Sequence, residues 1–126
     1  MLAGAFVSVV YALLGWLVAF TSRAALRPGA DMYRGPGIRT TATTRSPRHW
    51  RAAHRAVARP MYRTGILLAV ISPLPVLLGA FLGDPPVIGM VLLLAVVGVP
   101  YIGYLGYVGD RAAAALDRTR PPTAGD

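Results

Sequence analysis

The chain of 126 residues contains no cysteine and no lysine, and only five of its residues are acidic. The absence of cysteine excludes disulfide bonds, thiolate metal sites and cysteine nucleophiles. All thirteen basic residues are arginines, which gives a formal net charge of +8. Charged residues make up 14% of the chain and hydrophobic residues 55%, a balance that a soluble domain of this size could not cover with polar surface. The composition therefore predicts a single small domain whose solvent is the lipid bilayer.

Three stretches lack any formal charge and are long enough to cross a membrane: residues 2–20, 64–83 and 86–108. At a rise of 1.5 Å per residue, about 20 residues span the hydrocarbon core. Arg23, the first basic residue, follows the first stretch instead of preceding it, which argues against a cleaved signal peptide. The predicted fold class is an all-α membrane protein with three transmembrane helices. Residues 83–86 predict a tight turn between the second and third spans.

The arginines are distributed unevenly along the chain. Ten of them lie from Arg23 to Arg63 and three follow Asp110, whereas the turn between the second and third spans offers only Asp84. Because arginine-rich loops remain cytoplasmic, three spans place both clusters in the cytoplasm, with the N-terminus outside and the C-terminus inside. The placement of arginine on the cytoplasmic side explains the basic charge of the chain, so nucleic acid is not expected as a partner. The lipid bilayer is the expected partner. The tail, residues 119–126, is expected to be disordered.

The second half of the long loop, residues 21–63, predicts a short amphipathic helix before the second span. Ser46 followed by Pro47 is typical of a helix N-terminus, and Pro60 is expected to end the helix. Arginines share one face and mostly apolar residues the other: Arg48, Arg51, Arg55 and Arg59 against Trp50, Ala53, His54 and Val57. Such a helix is expected to lie in the inner headgroup plane, with the tryptophan face toward the acyl chains. Docking of the helix against the bundle is the open alternative.

Ahead of this helix, residues 35–44 combine glycine, proline and threonine, a composition that favours a loop. Their spacing matches neither the P-loop nor the dinucleotide fingerprint. Eight residues of the loop and the helix resemble the signature of the SdpI family of bacterial membrane immunity proteins: Gly37, Ile38, Arg39, Thr40, Thr43, Ser46, Trp50 and His54. The resemblance covers most of the chain, so residues 1–126 are predicted to form one SdpI-like domain. Longer members carry further spans ahead of this unit, and the chain resembles their minimal C-terminal module.

The resemblance implies immunity of the producing cell against a secreted peptide toxin, and capture of a transcriptional regulator at the inner face of the bacterial plasma membrane. The eight signature residues are then candidate contacts for a partner protein or for lipid headgroups. Arg39 is expected to contact lipid phosphate or a helix end, and Thr43 to bond locally. Trp50 and His54 are interpreted as an interfacial anchor pair. The alternative function is that of a structural accessory subunit of a larger membrane complex.

No enzymatic activity is expected. The three spans contain no carboxylate, and no serine, histidine and acid set is visible. His49 and His54 would point about 140° apart on a helix, so they are unsuited to sharing a metal ion. We therefore predict no catalytic residues, no cofactor and no metal site.

Prolines, glycines and aromatic residues mark the spans. Pro73, Pro75 and Pro100 predict kinks in the second and third spans, with ordinary packing as the default and a ligand pocket as the alternative. Small residues at regular spacing predict close helix contacts: Gly79 and Gly83 in the second span, and Gly103, Gly106 and Gly109 in the third. Aromatic residues near the inner end predict an interfacial belt: Trp16, Tyr101, Tyr104 and Tyr107.

Overall fold

The computed structural model describes residues 2–119, which form helices joined by one long loop and short turns, with no strand in that range. The helices are α1 (Leu2–Ala24), α2 (Pro47–Ile71), α3 (Leu74–Leu82), α4 (Asp84–Leu93) and α5 (Val99–Arg118), with a π-helical segment, Leu94–Gly98, between α4 and α5. They stack into three columns, each apolar and long enough to cross a membrane. The predicted all-α fold with three spans is confirmed. Apart from Thr119, the predicted disordered tail lies outside the described residues.

The first two columns pack through glycines. A Cβ atom built on Gly15 would lie 2.6 Å from the carbonyl oxygen of Gly65, and one built on Gly65 would lie 2.5 Å from the backbone nitrogen of Ala19. Gly4 approaches the carbonyl oxygen of Pro75 equally closely, at 2.6 Å. Only glycine lets two backbones come this near, which is how helices associate in lipid. The two columns are therefore in direct backbone contact at two levels, one at Gly4 and one where Gly15 and Gly65 meet.

The glycine contacts predicted from spacing are only partly present. Gly79 packs against the Val87 side chain, and Gly109 against Ile38 and Ala53. Nothing lies within 4 Å of a Cβ built on Gly103 or Gly106, so the prediction of a continuous contact face on the third span is wrong. The third column is packed closely at Val87 and at Gly109, whereas Gly103 and Gly106 between them are open.

The predicted proline irregularities are present in both columns. The second column is interrupted at Ser72 and Pro73, and the freed N–H of Val76 donates to the Ser8 hydroxyl at 3.1 Å. In the third column the helix widens into the π-helical turn just ahead of Pro100, which has no N–H to donate. Polar groups that proline leaves free are thus satisfied within the protein or by a wider turn.

The prediction that Pro60 ends the amphipathic helix is wrong. Ser46 caps α2 as expected, its side chain accepting from the N–H of His49, but α2 then runs through Pro60 to Ile71. An internal proline costs about 3 kcal/mol. Because α2 packs on α1 and α5 along its length, tertiary contacts offset that cost, and the expected short helix is the first half of one long helix.

Three of the four aromatic residues predicted to form the interfacial belt face outward. Trp16, Tyr104 and Tyr107 are 63%, 60% and 55% exposed, as an interfacial belt requires. Tyr101 is half-buried instead, with its hydroxyl 3.2 Å from that of Thr64. Three of the four belt residues therefore have the exposure that the prediction requires.

Beyond the apolar part of the bundle, the loop between α1 and α2 folds back onto the ends of two helices. We call this unit the loop module: residues 25–46 with the adjoining parts of α2 (47–59) and α5 (105–118). The predicted apolar face of the amphipathic helix is buried inside it, with Trp50 and His54 each 1% exposed. The expectation that this face contacts acyl chains is wrong, because the loop covers it. Of the two alternatives, the helix docks against the bundle.

Candidate functional site

His54 connects the long loop to α2. Its Nε2 accepts a hydrogen bond from the backbone N–H of Ile38 at 3.0 Å, and its Nδ1 lies 2.7 Å from the carbonyl oxygen of Trp50. A carbonyl can only accept, so the Nδ1 atom carries the proton and the imidazole is neutral. The predicted interpretation of Trp50 and His54 as interfacial anchors is therefore wrong, since His54 is a buried support for the loop.

The environment of His54 favours this neutral form. Burial lowers the pKa of His54, while its hydrogen bond to the Trp50 carbonyl acts in the opposite direction and is the smaller effect. Protonation would place a hydrogen on Nε2, opposite the N–H of Ile38, and the only bond from this imidazole to the loop would be lost. The loop is therefore held best when His54 is uncharged.

Gly37 is required by the same contact. A Cβ atom at this position would lie 2.1 Å from His54 Nε2, and the backbone φ of +157° is one that side-chain-bearing residues rarely adopt. Any other residue would displace the imidazole or the loop. The glycine of the signature is thus explained by His54, which accepts a hydrogen bond from the next residue, Ile38.

Two threonines organise the next turn of the loop. The Thr43 hydroxyl is fully buried, accepts from the N–H of Thr40 at 2.8 Å and donates to the carbonyl of Ile38 at 3.0 Å. The Thr40 hydroxyl donates to Asp110 Oδ1 at 2.5 Å, which ties the loop to α5. The expectation that Thr43 bonds locally agrees with this arrangement, and the role of Asp110 was not predicted.

Arg39 and Trp50 have different surroundings within the loop module. The exposed Arg39 donates to the carbonyl oxygens of Tyr33 (3.1 Å) and Gly35 (2.9 Å), in its own loop and not at a helix end. Trp50 packs with Ala25 and against the His54 ring, 4.3 Å between centroids. Its buried Nε1 has no acceptor among the described residues. One residue shapes the outer edge of the loop, and the other fills its interior.

The end of α5 holds the start of α2. Asp117 pairs with Arg45 and, at 2.9 Å, with His49 Nε2, while the Ser46 hydroxyl lies 2.7 Å from His49 Nδ1. Asp110 and Asp117 stand seven residues apart on one face of α5. Asp110 accepts a hydrogen bond from Thr40 of the loop, and Asp117 contacts His49 at the start of α2. That spacing, in a chain with few acids and a loop rich in arginine, was the available signal for these contacts.

All eight predicted site residues come together in the loop module. Thr43, Trp50 and His54 are buried and hold the unit together, whereas Arg39 is exposed beside Arg34 and Tyr33, the latter 74% exposed. Among residues 2–119, no cluster of three or more side chains suited to a metal ion is present. The arrangement places two exposed arginines, Arg34 and Arg39, on a loop that buried side chains hold.

Fold and site define a multi-pass helical membrane protein with a compact loop module on one side of its bundle. The SdpI/YfhL protein family model matches residues 32–104, more than half of the chain. The chain belongs to the SdpI/YfhL family. No significant match is found among curated proteins or solved structures.

Proposed function

We propose that this protein is a non-enzymatic immunity protein of the SdpI type in a bacterial plasma membrane. It protects the cell against a secreted peptide toxin, and its cytoplasmic loop module meets a partner protein or the inner leaflet. The N-terminus would face outward and the C-terminus the cytoplasm. Family membership and the resemblance of the signature residues support this proposal. The observation that carries it is the bond from the N–H of Ile38 to His54, which holds the loop in one shape while leaving Arg39 exposed.

Survival under toxin challenge tests the immunity function. A sensitive host expressing the chain is exposed to a membrane-active peptide, with Gly37→Ala as the disrupted variant and Gly103→Ala as the matched control. Gly37 has no room for a methyl group and Gly103 has open space, so only Gly37→Ala should lose protection. Equal survival with and without the wild-type chain contradicts immunity.

The proposed orientation has a separate test that uses the natural absence of cysteine. Thr41→Cys lies on the loop and Asp84→Cys on the turn between spans, and both positions are exposed. A membrane-impermeant maleimide should label position 84 in intact cells and position 41 only after lysis. The reverse pattern would place the loop module outside the cell and exclude a cytoplasmic partner.

The second candidate is an accessory subunit of a larger membrane complex. This alternative is favoured by the third column. Only 6% of the residues in its most apolar stretch are buried, and no atom lies within 4 Å of a Cβ built on Gly103 or Gly106. A protein partner packed there would be lost on changing Gly103 to Leu. Stable co-purification that Gly103→Leu abolishes, with toxin survival unaffected by the chain, would support this alternative against immunity.

A further inference from the structure

An open groove of about 610 Å³ lies where the start of α2 meets the end of α5. Its walls include three arginines of α2, Arg48, Arg51 and Arg55, and Leu116 of α5. The groove lies within the loop module and includes Ser46, but neither Gly37 nor His54 lines it. Binding in the groove can therefore be tested with variants that leave the contact between Gly37 and His54 unchanged.

The groove is basic, because three exposed arginines line it. No acidic residue lines it, and within residues 2–119 the three arginines form no ion pair. Asp117, at the nearby end of α5, is paired with Arg45 and His49. Three guanidinium groups that face one volume repel one another, and an anion placed among them would relieve that repulsion.

The position of Arg48 at the start of α2 adds to the excess of positive charge in the groove. A helix N-terminus carries partial positive charge and favours acidic residues in its first turn. The first turn of α2 contains none, and Arg48 stands there instead. Two independent features, the repulsion between side chains and the helix dipole, thus favour the same ligand charge.

We propose that the groove binds a phosphate group carried by a soluble molecule. Guanidinium groups bind phosphate oxygens through paired hydrogen bonds, and Leu116 with Ala52 gives the groove an apolar wall for the rest of the molecule. Arg55 precedes Arg63, the last arginine before the second span, by eight residues, or about 12 Å of helix. The headgroup layer is only about 5 to 7 Å deep on each side. The groove therefore lies beyond it, which favours a soluble source over a lipid.

Thermal unfolding of the full chain in phosphatidylcholine nanodiscs tests the proposal, with sodium phosphate compared against sodium chloride at equal ionic strength. Phosphate at ten times its dissociation constant should raise the wild-type Tm by roughly 3 to 6 °C and broaden the ³¹P resonance of phosphate. Arg51→Gln and Arg48→Gln should lose both effects. Arg59→Gln, an exposed arginine of the same helix outside the groove, should keep them.

One further result is expected for these variants in the absence of phosphate. Arg48→Gln should unfold at a higher temperature than wild type in chloride, because it removes a cation from the helix N-terminus. An equal phosphate effect in all variants, or none in wild type, would overturn the proposal. Nanodiscs containing phosphatidylglycerol form the last arm. If they alone stabilise the wild type but not Arg51→Gln, the soluble source is overturned in favour of a lipid headgroup.

Discussion

The first two spans meet backbone to backbone at Gly4, Gly15 and Gly65, whereas the loop module is closed by buried side-chain hydrogen bonds of Thr43 and His54. The difference follows from the solvent. Apolar side chains gain nothing by leaving lipid, so association there depends on close contact. The loop module can gain from hydrophobic burial, but its buried polar groups must then be paired. A single added methyl group should therefore act differently in the two regions.

The largest effect is expected at the crossing of the first two columns. Gly65→Val would force the backbones of α1 and α2 apart, since even a Cβ would lie 2.5 Å from the Ala19 nitrogen. We expect destabilisation of about 3 kcal/mol or more, measured by unfolding in sodium dodecyl sulfate mixed micelles. Gly103→Val, on an open helix face, is the control. Equal stability of the two variants would show that the glycine contact is not required.

Gly37→Ala should be next in size and confined to the loop module. The new methyl group displaces His54 and leaves the N–H of Ile38 without its acceptor, which costs about 1 to 3 kcal/mol for the lost bond alone. Hydrogen exchange should accelerate at Ile38 and Thr40 while the amides of α1 keep their protection. Faster exchange throughout α1 would contradict the separation of the two regions.

Thr43→Val removes only a hydroxyl group from the loop. The variant leaves the N–H of Thr40 without its acceptor and the carbonyl of Ile38 without this donor, so we expect a loss of about 1 to 3 kcal/mol. Thr41→Val, at an exposed neighbouring position, should change the unfolding free energy by less than about 0.5 kcal/mol. The difference between the two variants measures how far the module depends on this buried hydroxyl group.

Acidification should loosen the loop module through His54. Burial lowers its pKa in the folded state, so below the unfolded value of about 6.5 the unfolded chain binds more protons than the folded one. Stability is then complete above that pH and is lost as pH falls through the lower folded pKa. Thermal unfolding between pH 8 and 5 should show this decline in wild type and in His49→Gln, but much less in His54→Phe. An unchanged slope in His54→Phe would assign the effect elsewhere.

The smallest effect is expected for the pair of Arg45 and Asp117. Their side chains are 54% and 41% exposed, and exposed ion pairs contribute about 0 to 1 kcal/mol. Arg45→Ala should lower the free energy of unfolding by less than about 1 kcal/mol, with the difference shrinking at high salt. A larger loss, insensitive to salt, would mean that this end of the module is held as firmly as the contact between Gly37 and His54.

The spans, the chain reversal before the third span and the cap at Ser46 could be predicted because each depends on local pattern: run length, charge and turn chemistry. The predicted turn at residues 83–86 is too long, because only Gly83 is non-helical and α4 begins at Asp84. The burial of Trp50 and His54 could not, because an apolar helix face looks the same whether lipid or protein covers it. The loop that covers this face is distant in sequence, and its bond from Ile38 to His54 spans sixteen residues. The prediction that the helix ends at Pro60 failed for a related reason. Contacts of α2 with α1 and α5 keep the chain helical past this proline.

The residues of the site could be predicted from the sequence, but their contacts could not. The eight predicted residues do share one module, yet the sequence did not show that His54 accepts from the loop or that Asp110 and Asp117 hold it from α5. Of the three glycines predicted to make contacts in the third span, only Gly109 does so. Spacing identifies small residues, but only the path of the neighbouring helix decides which of them are in contact.

Neutral His54 holds the loop of the signature through its Nε2 atom. Nitrogen-15 NMR of the histidine ring, with the protein labelled at histidine and isoleucine in lipid nanodiscs, tests this role of His54 most directly. At pH 7 we predict a proton on Nδ1, none on Nε2, and an Ile38 amide protected from exchange. A proton on Nε2, or an Ile38 amide that exchanges as fast as an open loop, would contradict the account.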